Sequence, residues 1–299
     1  MRITLLGATG NLGRLTATLL ASQHPAVQLR LTSHRKEGCS ALREAFPQAE
    51  VVAADWYDEE TLRDAVAGTE KILMVTPDFA TDETVVTPNL IRAVRAVGGI
   101  KQVVRFIAIP PGFTVDQLTP AQLATRCGAA LHTVAKPLLD ASGLPITYVN
   151  CACWIMFNLP WFMAEDVKAS RRLLMPAAAD APRQWVSEDD IAEVVAKVLT
   201  DDASRHVGRE YLLSAERRYS FAQVAELLSE VLGENVAYVD DDSGVRRAMG
   251  DNFPTLMTYF THETRAYGGV PATRTIEELL GRPQVTLRQY VDQNKGLFR

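Results

Sequence analysis

The sequence predicts an α/β protein: a doubly wound parallel sheet with helices on both faces, followed by a smaller, mostly helical domain. Three observations carry that prediction. The first half alternates short apolar runs with amphipathic stretches, the pattern of βαβ units whose strands are buried on both faces. An apolar run at 2–6 leads into glycines at positions 7, 10 and 13, as a strand does when it turns tightly into a helix. At 299 residues and 47% apolar content, the chain can bury a large core, in one large domain with an annex or in two domains.

Strands are expected at 2–6, 27–32, 50–54, 71–75, 102–109 and 145–149, and helices at 12–23, 36–46, 59–67, 83–98 and 120–142. Strand cores such as Val51-Val52-Ala53-Ala54 and Val103-Val104-Arg105-Phe106-Ile107 are rich in β-branched or apolar residues, as buried strands should be. After residue 150 the alternation loosens, which sets the expected domains at 1–150 and 151–299. An aromatic-rich stretch at 154–163 precedes a loop-like segment at 176–182 and then a well-marked helix. In that helix Ser187 caps the start, Glu188, Asp189 and Asp190 occupy the positive end of the dipole, and Ile191, Val194, Val195, Val198 and Leu199 form the buried stripe. A strand near 211–213, a helix at 220–232, a strand at 236–239 and further helical segments complete the chain. The run at 253–260 has the helical spacing of core.

Composition narrows the function. Net charge is −5, from 31 basic and 36 acidic residues, with no basic cluster of the kind that grips a phosphate backbone, so direct nucleic-acid binding is not expected. The longest apolar run, 146–163, is interrupted by Asn150, Asn158 and Pro160, so membrane insertion is not expected. A strand opening at Arg2 leaves no room before it for a signal peptide, and the cytoplasm is the expected compartment. Cys39, Cys127, Cys151 and Cys153 lack redox or zinc spacing and are expected as reduced thiols. His24, His34, His132, His206 and His262 are not spaced as metal pairs, and no metal site is expected.

The turn at Gly7, Thr9, Gly10, Asn11, Leu12 and Gly13 is the most informative stretch. A glycine at the turn permits φ > 0, the next lets backbone approach a pyrophosphate, and the last lets helix pack on strand. The uncapped N–H groups of the helix then face phosphates. This is a Rossmann unit expected to hold a dinucleotide. At the end of its second strand, where an acidic residue would bond the ribose of NAD, stand Ser33, His34, Arg35 and Lys36, with no carboxylate before Glu37. Two cations and a hydroxyl suit a 2′-phosphate, which favours NADPH over NADH. The plainer reading of Arg35 and Lys36 is a solvated first helical turn.

The segment Gly7-Ala8-Thr9-Gly10-Asn11-Leu12-Gly13 resembles the atypical short-chain dehydrogenase/reductases, in particular the NmrA-like family. Asp55-Trp56-Tyr57-Asp58 before Thr61-Leu62, Ser142-Gly143-Leu144-Pro145-Ile146-Thr147-Tyr148-Val149, Trp185-Val186-Ser187 with Asp190-Ile191-Ala192, and Glu278-Leu279-Leu280-Gly281-Arg282 before Thr286-Leu287 are similar to that family's later signatures. The resemblance covers nearly the whole chain. It implies that Asp55 and Trp56 border the adenine, that Thr76-Pro77 and Ile107-Ala108 line the cofactor, and that about 183–214 returns to the large sheet. By family position Asn150, Trp154, Phe157 and Asn158 lie near the nicotinamide end.

Related reductases carry a serine after the fifth strand and a Tyr-x-x-x-Lys pair on the next helix. Here Ile107-Ala108-Ile109 offers no hydroxyl, and His132 stands four residues before Lys136. Lys136 also matches the lysine of isoflavone-reductase-like proteins, which implies ribose binding or substrate polarisation; a helix-surface lysine is the alternative. His132 is a candidate proton donor because imidazole titrates near neutrality, or else a structural histidine. The aromatic stretch suits a flat aromatic or conjugated carbonyl substrate, or domain core. The leading expectation is an NADPH-dependent oxidoreductase passing hydride to a quinone, enone or similar carbonyl. A quinone spreads the incoming charge and needs little acid catalysis. The alternative is a non-catalytic redox sensor acting on a protein partner, which the missing serine and tyrosine favour; an isomerase using the cofactor internally is a third reading. The oligomeric state stays open, a homodimer included.

Overall fold

The computed structural model describes residues 1–177 and 181–299, with side chains for all of these except Thr264 and Arg265. Part of the loop expected at 176–182 therefore lies outside the described residues. The chain runs β1 (Arg2–Leu6), α1 (Asn11–Gln23), β2 (Gln28–Ser33), α2 (Lys36–Ala45), β3 (Glu50–Ala53), α3 (Glu59–Val66), β4 (Lys71–Met74), α4 (Glu83–Val97) and β5 (Gln102–Ile107). Next come α5 (Pro120–Ala124), α6 (Ala129–Asp140), β6 (Ile146–Asn150), β7 (Trp154–Ile155), α7 (Asn158–Ser170), β8 (Arg172–Met175), β9 (Arg183–Val186), α8 (Glu188–Thr200) and β10 (Glu210–Leu212). It ends with β11 (Arg218–Tyr219), α9 (Phe221–Leu232), β12 (Ala237–Asp240), α10 (Ser243–Met249), α11 (Phe253–Ala266), α12 (Thr275–Leu280) and α13 (Leu287–Gln293).

These elements form two units. The first comprises Met1–Ile109, Gly128–Asn150 and Ile191–Leu212. Its seven strands lie in the order β10-β6-β5-β4-β1-β2-β3, and every pairing is parallel. The chain reverses direction across the sheet between β1 and β4, and ligands of such sheets bind beyond the strand ends at that switch point. Ile3, Leu5, Leu31, Ile72, Val103, Val104 and Val149 are wholly buried, which is why these strands read as near-continuous apolar runs.

The tight turn from β1 to α1 requires two of its three glycines. Gly7 has φ +96°, and a Cβ there would stand 2.2 Å from the Val75 carbonyl oxygen; a Cβ on Gly13 would stand 2.2 Å from that of Gly7. Side-chain caps start the next helices: Asp58 accepts the Glu60 N–H at 2.9 Å, and Asp82 accepts that of Thr84 at 3.0 Å. The stripe of α8 is buried as its spacing predicts, with Ile191, Val194, Val198 and Leu199 at 0% exposure.

The helix expected at 120–142 is broken in two. Arg126 and Gly128 both have φ of about +49°, which no right-handed helix accommodates. α5 is a short helix opened by a Thr119–Gln122 capping box and ending at Ala124, and α6 begins afresh at Ala129.

The second unit comprises Pro110–Cys127, Cys151–Asp190 and Leu213–Arg299. Its strands form one sheet in the order β11-β9-β7 and a separate β12-β8 pair. The core is aromatic: Trp154 packs on Trp185, Phe221 and Phe260 with ring centroids 5.1, 5.6 and 5.4 Å away. The Arg183 guanidinium lies 4.3 Å from the Trp154 ring and pairs with Glu263 at 3.4 Å. The run at 253–260 is core, with Phe253, Leu256, Tyr259 and Phe260 buried. Among the described residues no helix is long and apolar enough to cross a membrane.

The three glycines of the turn should respond differently to a methyl group. Gly13→Ala should lower the urea-unfolding free energy by about 1–3 kcal/mol, as overpacking against backbone does. Gly10→Ala meets only the Gly7 carbonyl oxygen at an ordinary 3.4 Å and should cost less than about 1 kcal/mol. Equal losses at both positions would contradict this assignment.

Candidate functional site

Apart from Lys136, the sequence-predicted residues of the first unit lie at or just beyond the carboxyl ends of its strands. Gly7, Gly10 and Gly13 shape the turn after β1, with Thr9, Gly10 and Asn11 exposed and Leu12 and Gly13 buried. Gly10 is the N-cap of α1 and no side chain caps that helix. Backbone N–H groups of the first turn are thus left for a partner outside the helix. Nothing in the protein's own packing requires Gly10 to lack a side chain, in contrast to its two neighbours in the motif.

The end of β2 lies beside this turn. The Ser33 hydroxyl accepts the Arg35 N–H at 3.2 Å, and His34, Arg35 and Lys36 are exposed. A Cβ on Gly38 would stand 2.3 Å from Ser33 Oγ and 3.2 Å from the Thr9 methyl. Gly38 therefore lets α2 approach the glycine turn and Ser33 closely; it was not among the sequence-predicted residues. Its signal was a glycine in the first turn of a helix, where entropy disfavours it.

After β3, Asp55 accepts the Tyr57 N–H at 3.0 Å, and the half-buried Trp56 is fixed by its carbonyl, which accepts from Asn89 at 3.1 Å. Tyr57 then clasps the loop after β4: its hydroxyl donates to the Ala80 carbonyl at 3.1 Å and accepts the Asp82 N–H at 2.9 Å. Within that loop Pro77 is exposed and Phe79 sits at φ +64°. Thr76 is buried and its hydroxyl donates to Glu83 Oε1 at 2.6 Å.

Beyond β5 the backbone is held by two side chains. His132 Nδ1 accepts the Ala108 N–H at 2.9 Å, which leaves the ring proton on Nε2. Burial, and secondarily Arg105, hold His132 well below the usual histidine range, so the imidazole is neutral at pH 7. Asn150, 1% exposed, accepts the Ile109 N–H at 2.9 Å and donates to the Ile109 carbonyl at 2.8 Å and to Glu210 Oε1 at 2.7 Å. Both of its amide hydrogens are thereby used. Ile107 is wholly buried.

Lys136 lies apart from His132 in its contacts. Its ammonium pairs with Asp140 at 2.9 Å and Glu210 at 3.6 Å, and stands 4.5 Å from the Tyr148 ring centroid. The Tyr148 hydroxyl donates to Asp140 at 2.8 Å, and burial with that carboxylate pushes the phenol far above its ordinary value. Lys136, Asp140, Tyr148, Asn150 and Glu210 thus form one cluster at the β6–β10 edge. Glu210, 60 residues from Asn150 in sequence, gave no local signal.

In the second unit the aromatic stretch divides. Trp154, expected near the nicotinamide end, is 3% exposed, and its indole N–H donates to Glu263 at 2.9 Å; it is core. Its neighbours Trp185, Phe221 and Phe260 come from distant segments, so local sequence did not show that they enclose it. Phe157 and Asn158 are half-buried, and Trp161 is 50% exposed, its ring stacked on Phe162 at 4.6 Å.

A parallel sheet reversing between β1 and β4, with a glycine turn opening α1 beside that point, defines a Rossmann-type α/β protein. The model of the NmrA-like family matches residues 1–289, and the chain belongs to that family. It is 25% identical over 295 residues to quinone oxidoreductase 2 of Escherichia coli (strain K12), covering 97% of each chain. Its fold is similar to that of NADPH-dependent quinone oxidoreductase from Escherichia coli complexed with NADPH, with TM-score 0.77, 24% identity, and 99% and 100% of the two chains covered. It is also similar to that of NmrA, a negative transcriptional regulator, in complex with NADP, with TM-score 0.74, 19% identity, and 98% and 94% covered.

A histidine held neutral in the fold gains a proton on unfolding. Its contribution to stability is present above the unfolded value near 6.5 and is lost as pH falls below it. Between pH 7.5 and 5.5, His132 should therefore cost up to about 1.4 kcal/mol of unfolding free energy. His132→Gln, whose side-chain carbonyl can still accept the Ala108 N–H, should show a shallower decline in urea titrations. His206 and His262, also held down mainly by burial, would supply what is left. An unaltered slope would remove His132 from this explanation.

Proposed function

We propose that this protein is an NADPH-dependent oxidoreductase that delivers hydride to a quinone, enone or similarly conjugated carbonyl. The observation that carries the reading is the pairing of an uncapped helix start at an open Gly10 with the exposed cations Arg35 and Lys36 at the end of β2. Residues of the turn at 7–13 would hold the diphosphate through backbone N–H groups. Arg35 and Lys36 would bind the 2′-phosphate, Arg35 with two parallel hydrogen bonds. Asp55 and Trp56 would border the adenine, and Pro77 and Ala108 would wall the nicotinamide end; Thr76 and Ile107, expected to line the coenzyme, are buried and would support that wall from behind. The names of the quinone oxidoreductase relatives support both the coenzyme and the acceptor class.

When bound, the coenzyme supplies the hydride. The chain's task is then to orient the reactants and exclude water. Neither titratable candidate stands ready as a strong acid: His132 is neutral, with Nδ1 committed to Ala108, and Lys136 is engaged by Asp140 and Glu210. That arrangement favours an acceptor whose incoming charge is delocalised, as in a quinone, over a simple ketone needing a proton at once. Asn150 acts by holding Ile109, and Lys136 by holding Glu210, which in turn accepts from Asn150. The accessible rings of Phe157 and Trp161, with Asn158 between them in sequence, offer a flat acceptor a surface for stacking.

The same engaged side chains favour a second reading, a coenzyme-binding sensor without turnover, and the fold of the regulator NmrA is compatible with it. Purified protein mixed with NADPH and a panel of quinones should consume the reduced nicotinamide absorbance. Binding of NADPH without consumption across the panel would decide for the sensor. Arg35→Asp should weaken NADPH at least tenfold, the equivalent of about 1.4 kcal/mol, while leaving NADH little changed, because charge-assisted bonds to a phosphate are worth about that much or more. An unaltered ratio of the two affinities would place the reading of the 2′-phosphate elsewhere.

A further inference from the structure

Arg105 is the one charged residue of β5, between Val104 and Phe106, and it is wholly buried. Its Nη2 donates to Thr76 Oγ1 at 2.8 Å and to Glu83 Oε1 at 2.6 Å. Glu83, 2% exposed, receives the Thr76 hydroxyl on the same oxygen and the Thr87 hydroxyl on the other. Nε and Nη1 of Arg105 have no hydrogen-bond partner among the described residues. A well-packed apolar pair is generally as stable as a buried ion pair, or more so, and unsatisfied donors add to the cost. Stability alone does not account for this pair.

What the pair holds is the loop after β4. The Thr76 hydroxyl is fixed from both sides, as donor to Glu83 and acceptor from Arg105, so its orientation has no freedom. Glu83 opens α4, where the loop ends. Between them Phe79 keeps a left-handed backbone, a conformation that persists only where the surroundings impose it. Tyr57 clasps the loop from the other side, at Ala80 and Asp82.

We propose that Arg105 is a positioning residue: through Thr76 and Glu83 it sets the loop at 75–82 in the shape that aligns the nicotinamide end of the site for hydride transfer. The role of the loop as a wall of that site rests on the proposed function; its dependence on Arg105 does not. Arg105 touches neither coenzyme nor substrate in this scheme, and the diphosphate and 2′-phosphate are gripped elsewhere. Losing it should therefore affect alignment much more than binding.

The test uses the full chain as three proteins: wild type, the double variant Arg105→Met with Glu83→Met, which removes both charges together, and Thr76→Val, which removes only the linking hydroxyl. Hydrogen exchange of the amides at 75–82, without coenzyme, should accelerate at least tenfold in the double variant and to a smaller extent in Thr76→Val. In single turnover with a quinone, the hydride-transfer rate of the double variant should fall at least tenfold, while its NADPH Kd changes less than threefold. Unaltered exchange in both variants would overturn the proposal, as would a faster-exchanging loop with an unaltered transfer rate. If the double variant does not fold, Thr76→Val decides by the same two readouts. A wild-type protein that binds no NADPH would overturn the functional reading and with it the alignment role, while the exchange data would still decide separately whether Arg105 holds the loop.

Discussion

The carbonyl oxygen of Gly7 stands 2.2 Å from where a side-chain carbon on residue 13 would be, and the Val75 carbonyl stands equally close to residue 7. Those two approaches bring the first strand, the first helix and the end of β4 closer than any side chain would permit. Because α1 packs this tightly, its first turn opens at the switch point of the sheet, and its N–H groups have no cap of their own. The site proposed here is a consequence of that packing more than of any reactive side chain.

Around that turn the strand ends are fixed by polar groups set into the protein. Thr76 is held by Arg105 and Glu83, Ala108 by His132, and Ile109 by Asn150 with Glu210 behind it. The bonds from His132 and Asn150 go to backbone N–H groups, and the Thr76 hydroxyl is fixed between Arg105 and Glu83. Hydrogen bonds inside a low-dielectric interior are stronger than in water and restrict the groups they join. In the function proposed above, gripping and aligning fall to different residues: the backbone turn and surface cations for the first, the interior polar groups for the second. This fold is similar to those of both a quinone oxidoreductase and a transcriptional regulator.

The sheet and the glycine turn were legible because their signals are local. Residues 2–13 show an apolar run and three spaced glycines, and the α8 stripe shows its period within 13 residues. The break between α5 and α6 was less visible, since Arg126 takes a left-handed conformation that its residue type does not favour. Partners far apart in the chain were not legible at all. Arg105 and Glu83 are separated by 22 residues and Asn150 and Glu210 by 60, and no spacing rule joins them. Trp154 could be read as substrate pocket or core until its partners Trp185, Phe221 and Phe260 were placed. Arg105 did carry a hint, a cation among Val103, Val104, Phe106 and Ile107, whose meaning depended on finding Glu83.

The central claim is that backbone donors at the start of α1 hold the coenzyme's diphosphate. Amide hydrogen exchange at Asn11, Leu12 and Gly13, followed residue by residue with and without saturating NADPH, tests it most directly. These amides should become strongly protected in the complex, more than those at the far end of the same helix. NADPH bound at saturation with exchange at all three unchanged would contradict the claim.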